Sequence, residues 1–134
     1  MEYRGMVDHA TLAAAYASAG FILYPTTFPE TGCVTLMKAM AHGCVPITSR
    51  YKHSTLPELT EPFDLGPRPL SPDHERDGDW GPWVALWEES VVAASLRAQE
   101  GDNLRAHRDA MVAAARSRFP WSSVAKLWHE SFEG

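Results

Sequence analysis

Two short runs of strand length, Phe21-Ile22-Leu23-Tyr24 and Val45-Pro46-Ile47-Thr48, constrain this chain more than any other feature. The first is continuously apolar, which suits a strand covered on both faces, as in a parallel sheet. Pro46 in the second must sit at the first strand position or where no partner needs its N–H. Each run follows a helical pattern. Asp8 is placed to cap a helix with Leu12, Ala15, Tyr16 and Ala19 on one face, ended by Gly20. After a loop from Pro25 to Gly32 comes a second helix. It carries Val34, Met37 and Ala41 on one stripe, with Cys33, Leu36 and Met40 beside it, and Gly43 closes it. Helix, strand, helix, strand with short connections implies crossover units and a parallel sheet. Further short strands are expected at Tyr3-Arg4 and at Phe63-Asp64-Leu65.

The rest of the chain divides by composition. Residues 66–82 hold four prolines and three glycines and read as an acidic connector, not a core element. Beyond it the chain turns helical. Trp83, Trp87, Val91 and Ala94 share one face. Asp102 can cap a helix carrying Leu104, Met111, Ala115 and Phe119. Phe119-Pro120-Trp121 breaks that helix, and Ser122 or Ser123 can cap a last one with Val124, Leu127, Trp128 and Phe132 on one side. The expected organisation is a partial Rossmann-like core over 1–65, the connector over 66–82, and helices over 83–134 packed back on the sheet. At 134 residues this is one modest domain, long enough to bury a core without disulfides or metals.

Composition narrows the function classes. With 12 Lys+Arg against 17 Asp+Glu, the formal charge is −5 and no basic surplus exists to replace counterions on a nucleic-acid backbone. No apolar run approaches a membrane span, and no basic-then-apolar leader is visible, so a cytoplasmic protein is expected. Cys33 and Cys44 then read as two reduced thiols rather than a disulfide.

The loop Tyr24-Pro-Thr-Thr-Phe-Pro-Glu-Thr-Gly32 is the first candidate site. It leads from a strand into a helix, and parallel sheets bind ligands beyond the carboxyl ends of their strands. Amides of Gly32, Cys33 and Val34 at the helix start suit a phosphate. Thr31 adds a hydroxyl, and the Glu30 carboxylate suits sugar hydroxyls, since it accepts without donating. The same residues also suit an ordinary strand-to-helix turn capped by Glu30 or Thr31, and local physics leaves the two level. Other candidates carry less. Asp73-x-Glu75-x-Asp77-Gly78 has Val84 where a calcium loop needs a bidentate Glu. His9, His42, His53, His74, His107 and His129 form no tight ligand pair, although His42 and His53 are candidates for the cleft. Cys33 near a helix start lacks a second cysteine and reads as a buried neutral thiol. The tryptophans at 80, 83, 87, 121 and 128 read as core or interface anchors, and Arg97, Arg105, Arg108, Arg116 and Arg118 as a solvated face.

The order of pieces YASAG, FILYP, PETG, KAMAHG, VPITS, LPEL and FPWSSVAKLW resembles the donor-binding half of the family 4 retaining GT-B glycosyltransferases, over most of the chain. The resemblance implies transfer of a sugar from a nucleotide-sugar to an acceptor with retained anomeric configuration and no divalent metal. It implies that Glu30 holds donor sugar hydroxyls and that amides of Thr31, Gly32, Cys33 and Val34 hold the diphosphate. Glu58 matches the family's Pro-Glu step. The chain departs from the family in two places. Lys38 stands where the family has a second glutamate that accepts from the ribose hydroxyls, and a lysine only donates. It suits contact with a phosphate or the nucleotide, a degenerate site, or a solvated helix position. The loop reads ETGC, moving the glycine by one position.

The family's early strands, its upstream Arg and Lys and its acceptor domain have no counterpart here. The chain is therefore expected to be part of a larger enzyme and inactive in isolation, since transfer needs both reactants held. Two rival readings stand beside this one. One is a non-catalytic remnant whose Trp-rich helices form a partner surface. The other is a nucleotide binder unrelated to sugars, against which the missing GxGxxG and P-loop patterns count.

Overall fold

The computed structural model describes residues 3–72, 78–100 and 102–133, with side chains of Asp102, Asn103 and Glu133 excepted. The chain is mixed α/β. Helix α1 (His9–Ser18) starts where the Asp8 carboxylate accepts the Thr11 amide at 2.7 Å, the expected cap. Its Leu12, Ala15, Tyr16 and Ala19 face is half-buried. Strand β1 (Phe21–Tyr24) follows, then α2 (Val34–Ala41) and β2 (Val45–Thr48). The two strands pair in parallel, Phe21 opposite Val45 and Tyr24 opposite Thr48. Among the described residues they form a two-stranded sheet.

The strands are not equally covered. Every residue of β2 is buried, whereas Leu23 of β1 is 52% exposed. The expectation that β1 is covered on both faces holds only in part: Phe21 packs into one apolar cluster and Ile22 and Tyr24 into another on the opposite face, but Leu23 lies open. Gly43 returns the chain from α2 to β2 at φ +96°, a left-handed conformation that favours glycine. A side chain there would also press on the Arg108 guanidinium, 2.6 Å from an ideal Cβ.

No strand forms at Phe63-Asp64-Leu65, and the cause lies in β2. In a strand the N–H and C=O of one residue point to the same side. The Pro46 carbonyl accepts from Leu65 N at 2.9 Å, so the side facing Leu65 is the side where proline has no N–H to give. Two residues on, the Thr48 amide donates to the Asp64 carboxylate at 3.0 Å instead of to a backbone carbonyl. One backbone bond and one side-chain bond replace a ladder. This also places Pro46, the second residue of β2, at the unpaired-N–H alternative. Tyr3-Arg4 likewise forms no strand, and Tyr3 stands in solvent.

Asp64 is buried and takes further donors: the Thr48 hydroxyl at short range, the Thr60 hydroxyl at 3.1 Å and the Gly66 amide at 2.8 Å. Thr60 ends the short helix α3 (Leu56–Thr60). Gly66 passes so close to β2 that a Cβ would overlap the Thr48 carbonyl. The connector is therefore folded onto the sheet at its start: Pro67 and Ser71 are buried, and Ser71 N donates to Arg50 O at 2.7 Å. Residues 73–77, with the acidic pattern and His74, lie outside the described residues.

The long helices are α4 (Gly81–Gln99), α5 (Asp102–Arg118) and α6 (Trp121–Glu133). Trp83 and Ala94 of α4 are buried, and Trp83 stacks on Trp87 at 5.8 Å between centroids. On α5, Met111 and Ala115 join Met40 and Val45 in a core that Phe21, Phe63, Leu65, Leu104 and Phe119 surround. So α5 packs back as expected. Helix α6 does not: Leu127, Trp128 and Phe132 are exposed, Phe132 to 85%. Nor do Ser122 and Ser123 cap it, because the helix begins at Trp121 and the Pro120 carbonyl accepts the Ser123 and Val124 amides.

Candidate functional site

The loop leaving β1 is pinned at several points. The Ser49 hydroxyl donates to the Thr26 carbonyl, and the Ser49 amide to Tyr24 O at 3.3 Å. Thr55 donates its amide and its hydroxyl to the Glu30 carbonyl, at 2.8 and 2.9 Å. The Glu30 carboxylate is held as well: Tyr24 Oη donates to Oε1 at 2.7 Å. The carboxylate beside it raises the Tyr24 pKa well above its ordinary value of 10.0, with burial and the Cys33 thiol adding to the effect. Glu30 is thus fixed by backbone and side chain, while its Oε2 takes no hydrogen bond among the described residues.

The amino end of α2 lies beside it. Cys33 occupies the cap position without a side-chain cap bond, so the first turn has no side chain satisfying its amides. Amides of Gly32 and Cys33 have no partner among the described residues. The Val34 amide is different: it bonds back to Gly32 O at 3.1 Å, which corrects the expectation that it is open. Thr31 and Gly32 are exposed, and a Cβ on Gly32 would meet nothing within 4 Å. The Cys33 side chain is buried against Leu36 and Leu56, and both cysteines are free. Cys44 donates its thiol to Tyr16 O at 3.0 Å, and burial pushes its pKa up.

The six predicted residues therefore divide. Glu30, Thr31, Gly32 and Cys33 form the loop and helix start. Val34 and Lys38 lie on the other stripe of α2, in the wall of a groove of about 500 Å³ that α2 makes with the end of α5 and the start of α6. His42 lines that groove too, its Nδ1 2.8 Å from Lys38 O. His53 is exposed at a left-handed φ of 62°. Glu58 is exposed on α3, and its carbonyl accepts from Arg118 at 2.8 Å. Among the described residues no three His, Cys, Asp or Glu side chains gather as a metal site, and no helix is long and apolar enough to cross a membrane.

Sequence reasoning missed the two residues that set Glu30. Tyr24 carried a signal, being a polar tip at the end of an apolar strand. Thr55 carried none, since it reaches the loop only through the fold.

The fold and the loop define a mixed α/β chain with a strand-to-helix loop at the carboxyl end of a parallel strand. No protein family, curated protein or solved structure matches it in comparison.

Proposed function

We propose that this chain is the donor-binding part of a retaining glycosyltransferase of the GT-B, family 4 type, with a Rossmann-like sheet of which β1 and β2 are members. The observation that carries the reading is the fixed Glu30 carboxylate beside the open amino end of α2. Its Oε2 accepts hydroxyls of the donor sugar. Amides of Gly32 and Cys33, assisted by the helix dipole and the Thr31 hydroxyl, receive the diphosphate. The Val34 amide contributes only if it leaves Gly32 O. Lys38 faces the groove between α2, α5 and α6 rather than the loop and is assigned no contact with the donor. The acceptor is held by another part of a larger enzyme, and the donor needs no metal.

The test is a thermal melt of the chain with UDP-, GDP- and ADP-sugars. A donor at about 100 times its Kd stabilises the native state by about 2.7 kcal/mol. One nucleotide class is expected to raise the melting temperature by several degrees, and Glu30→Ala to abolish that rise. The exposed apolar faces of α4 and α6 favour a second reading, a non-catalytic interaction module. A cooperative melt that no nucleotide-sugar shifts would sink the first reading and leave the second.

A further inference from the structure

The chain exposes 9009 Å². A compact monomer of 14.9 kDa exposes about 7,000 Å². The excess, about 2,000 Å², is in the range that one protomer buries in a large permanent interface. Two of the exposed surfaces are complementary in chemistry.

The first is the groove between α2 and the α5–α6 corner. Its apolar walls include Met37, Phe119, Val124 and Trp121, the last 82% exposed. Every charged residue lining it is basic: Lys38, Arg116 and Arg118, with His42 beside them. Among the described residues no acid pairs with them. Arg116 Nε donates to Ala41 O at 3.0 Å and Arg118 to Glu58 O at 2.8 Å, both neutral carbonyls. Lys38 forms no ion pair among the described residues. An uncompensated basic groove stands out in a chain of net charge −5.

The second is the outer face of α4. Ala85, Glu88, Glu89, Val92, Ala93 and Leu96 line one shallow hollow there, at the spacing of a single helical stripe. Val92 and Leu96 are more than half exposed, and the alanines permit close approach. Glu88 and Glu89 form no ion pair among the described residues, and the stripe carries no basic residue. An apolar stripe bearing two acids complements an apolar groove bearing three bases, and a helix laid in a groove is a recurrent mode of association.

We propose that the occupant of the groove is a second copy of this chain, which docks the Ala85–Leu96 stripe of its α4 there. Reciprocal docking gives a closed two-fold dimer in which each copy supplies both surfaces. The apolar contacts supply the driving force, and Glu88 and Glu89 against Lys38 and Arg116 set the register.

Sedimentation velocity across the micromolar range tests this with a charge swap at three exposed positions. The unmodified chain is expected to form a discrete dimer that weakens with added salt, because exposed charges are screened. Lys38→Glu alone, and Glu88→Lys with Glu89→Lys, are each expected to weaken the dimer by about tenfold or more. An equimolar mixture of the two variants should dimerise again. In the mixture one interface pairs the unmodified groove with the unmodified stripe, and the other pairs the two reversed surfaces. Circular dichroism of each variant checks that the fold is retained. A monomer at all concentrations, an open ladder of aggregates, a salt-independent dimer or a mixture that stays apart would each overturn the proposal. So would variants that dimerise like the unmodified chain, which would point to the Leu127, Trp128 and Phe132 face instead.

Discussion

Tyr24 and Glu30, six residues apart, are joined by a 2.7 Å hydrogen bond, so the last residue of β1 orients the carboxylate of the loop that follows it. Tyr24→Phe removes the donor and keeps the ring. The expected cost in stability is about 1 kcal/mol, the net worth of one such bond. The expected cost to nucleotide-sugar binding is larger, about tenfold, because the freed carboxylate samples other rotamers. Denaturant melts and titration calorimetry of the variant measure the two separately. Equal binding by variant and parent would show that the tyrosine does not set the site.

Alkaline pH should destabilise the fold. Burial raises the Cys44 pKa above 9.0 and the Tyr16 pKa above 10.0, and the Glu30 carboxylate raises that of Tyr24. Each group keeps its proton longer when folded than when unfolded. The stability they contribute is fully present below the unfolded pKa and is lost as pH climbs through the folded one. Stability should therefore fall from about pH 9 upward. Tyr24→Phe should flatten the part of that decline that sets in above the ordinary tyrosine range. Melts at stepped pH, read on both chains, check the sign. A thiol reagent at neutral pH should label Cys44 only slowly until the chain unfolds.

Asp64 closes the free side of β2. Asp64→Ala leaves the Thr48 and Gly66 amides without their acceptor beside the sheet. The expected loss is about 3 kcal/mol, and Asp64→Asn, which retains one acceptor oxygen, should lose about half of that. Urea denaturation of the three chains gives the order directly. Equal losses in the two variants would mean that the negative charge, which both remove, and not the acceptor geometry, matters there.

The glycines separate folding from binding. Gly66→Ala drives a methyl into the Thr48 carbonyl, and Gly43→Ala puts a side chain at φ +96° against Arg108. Gly43→Ala is expected to cost about 1–3 kcal/mol, and Gly66→Ala at least as much. Gly32→Ala meets no protein atom within 4 Å and should melt with the parent chain. A donor diphosphate approaching that backbone would feel the methyl. Loss of the nucleotide-sugar shift without loss of stability is the expected result for Gly32→Ala.

Local patterns in the sequence announced the elements whose causes are local. The Asp8 cap, the glycine after α2, both strands and the Met111–Ala115 face of α5 all follow from spacing and side-chain chemistry within one turn or strand. What failed depends on residues distant in the chain. Phe63–Leu65 has strand composition, but whether it pairs is decided by a proline eighteen residues earlier and by where the Asp64 carboxylate points. The apolar stripe of α6 is genuine, yet amphipathicity says only that a face wants cover, not that the same chain supplies it. Ser122 and Ser123 are good cap residues two and three positions too late, because the Pro120 carbonyl begins the helix first. At the loop, Glu30 was legible as a carboxylate between strand and helix. Val34 was grouped with it for its amide, which bonds back to Gly32 O, and Lys38 for its match to the family's second glutamate, whereas helical rotation turns the Lys38 side chain to the groove.

The side of β2 that faces Asp64 has a further consequence. With no N–H at Pro46 and the Thr48 N–H already taken, that margin offers no row of donors for another strand to read. The outer margin of β1 carries no such obstruction among the described residues. The sheet can therefore grow in one direction only. Just past β2 the margin facing Asp64 is already met by Leu70, which bridges to Arg50, so a further full strand comes in alongside Phe21–Tyr24, next to the residue that holds Glu30.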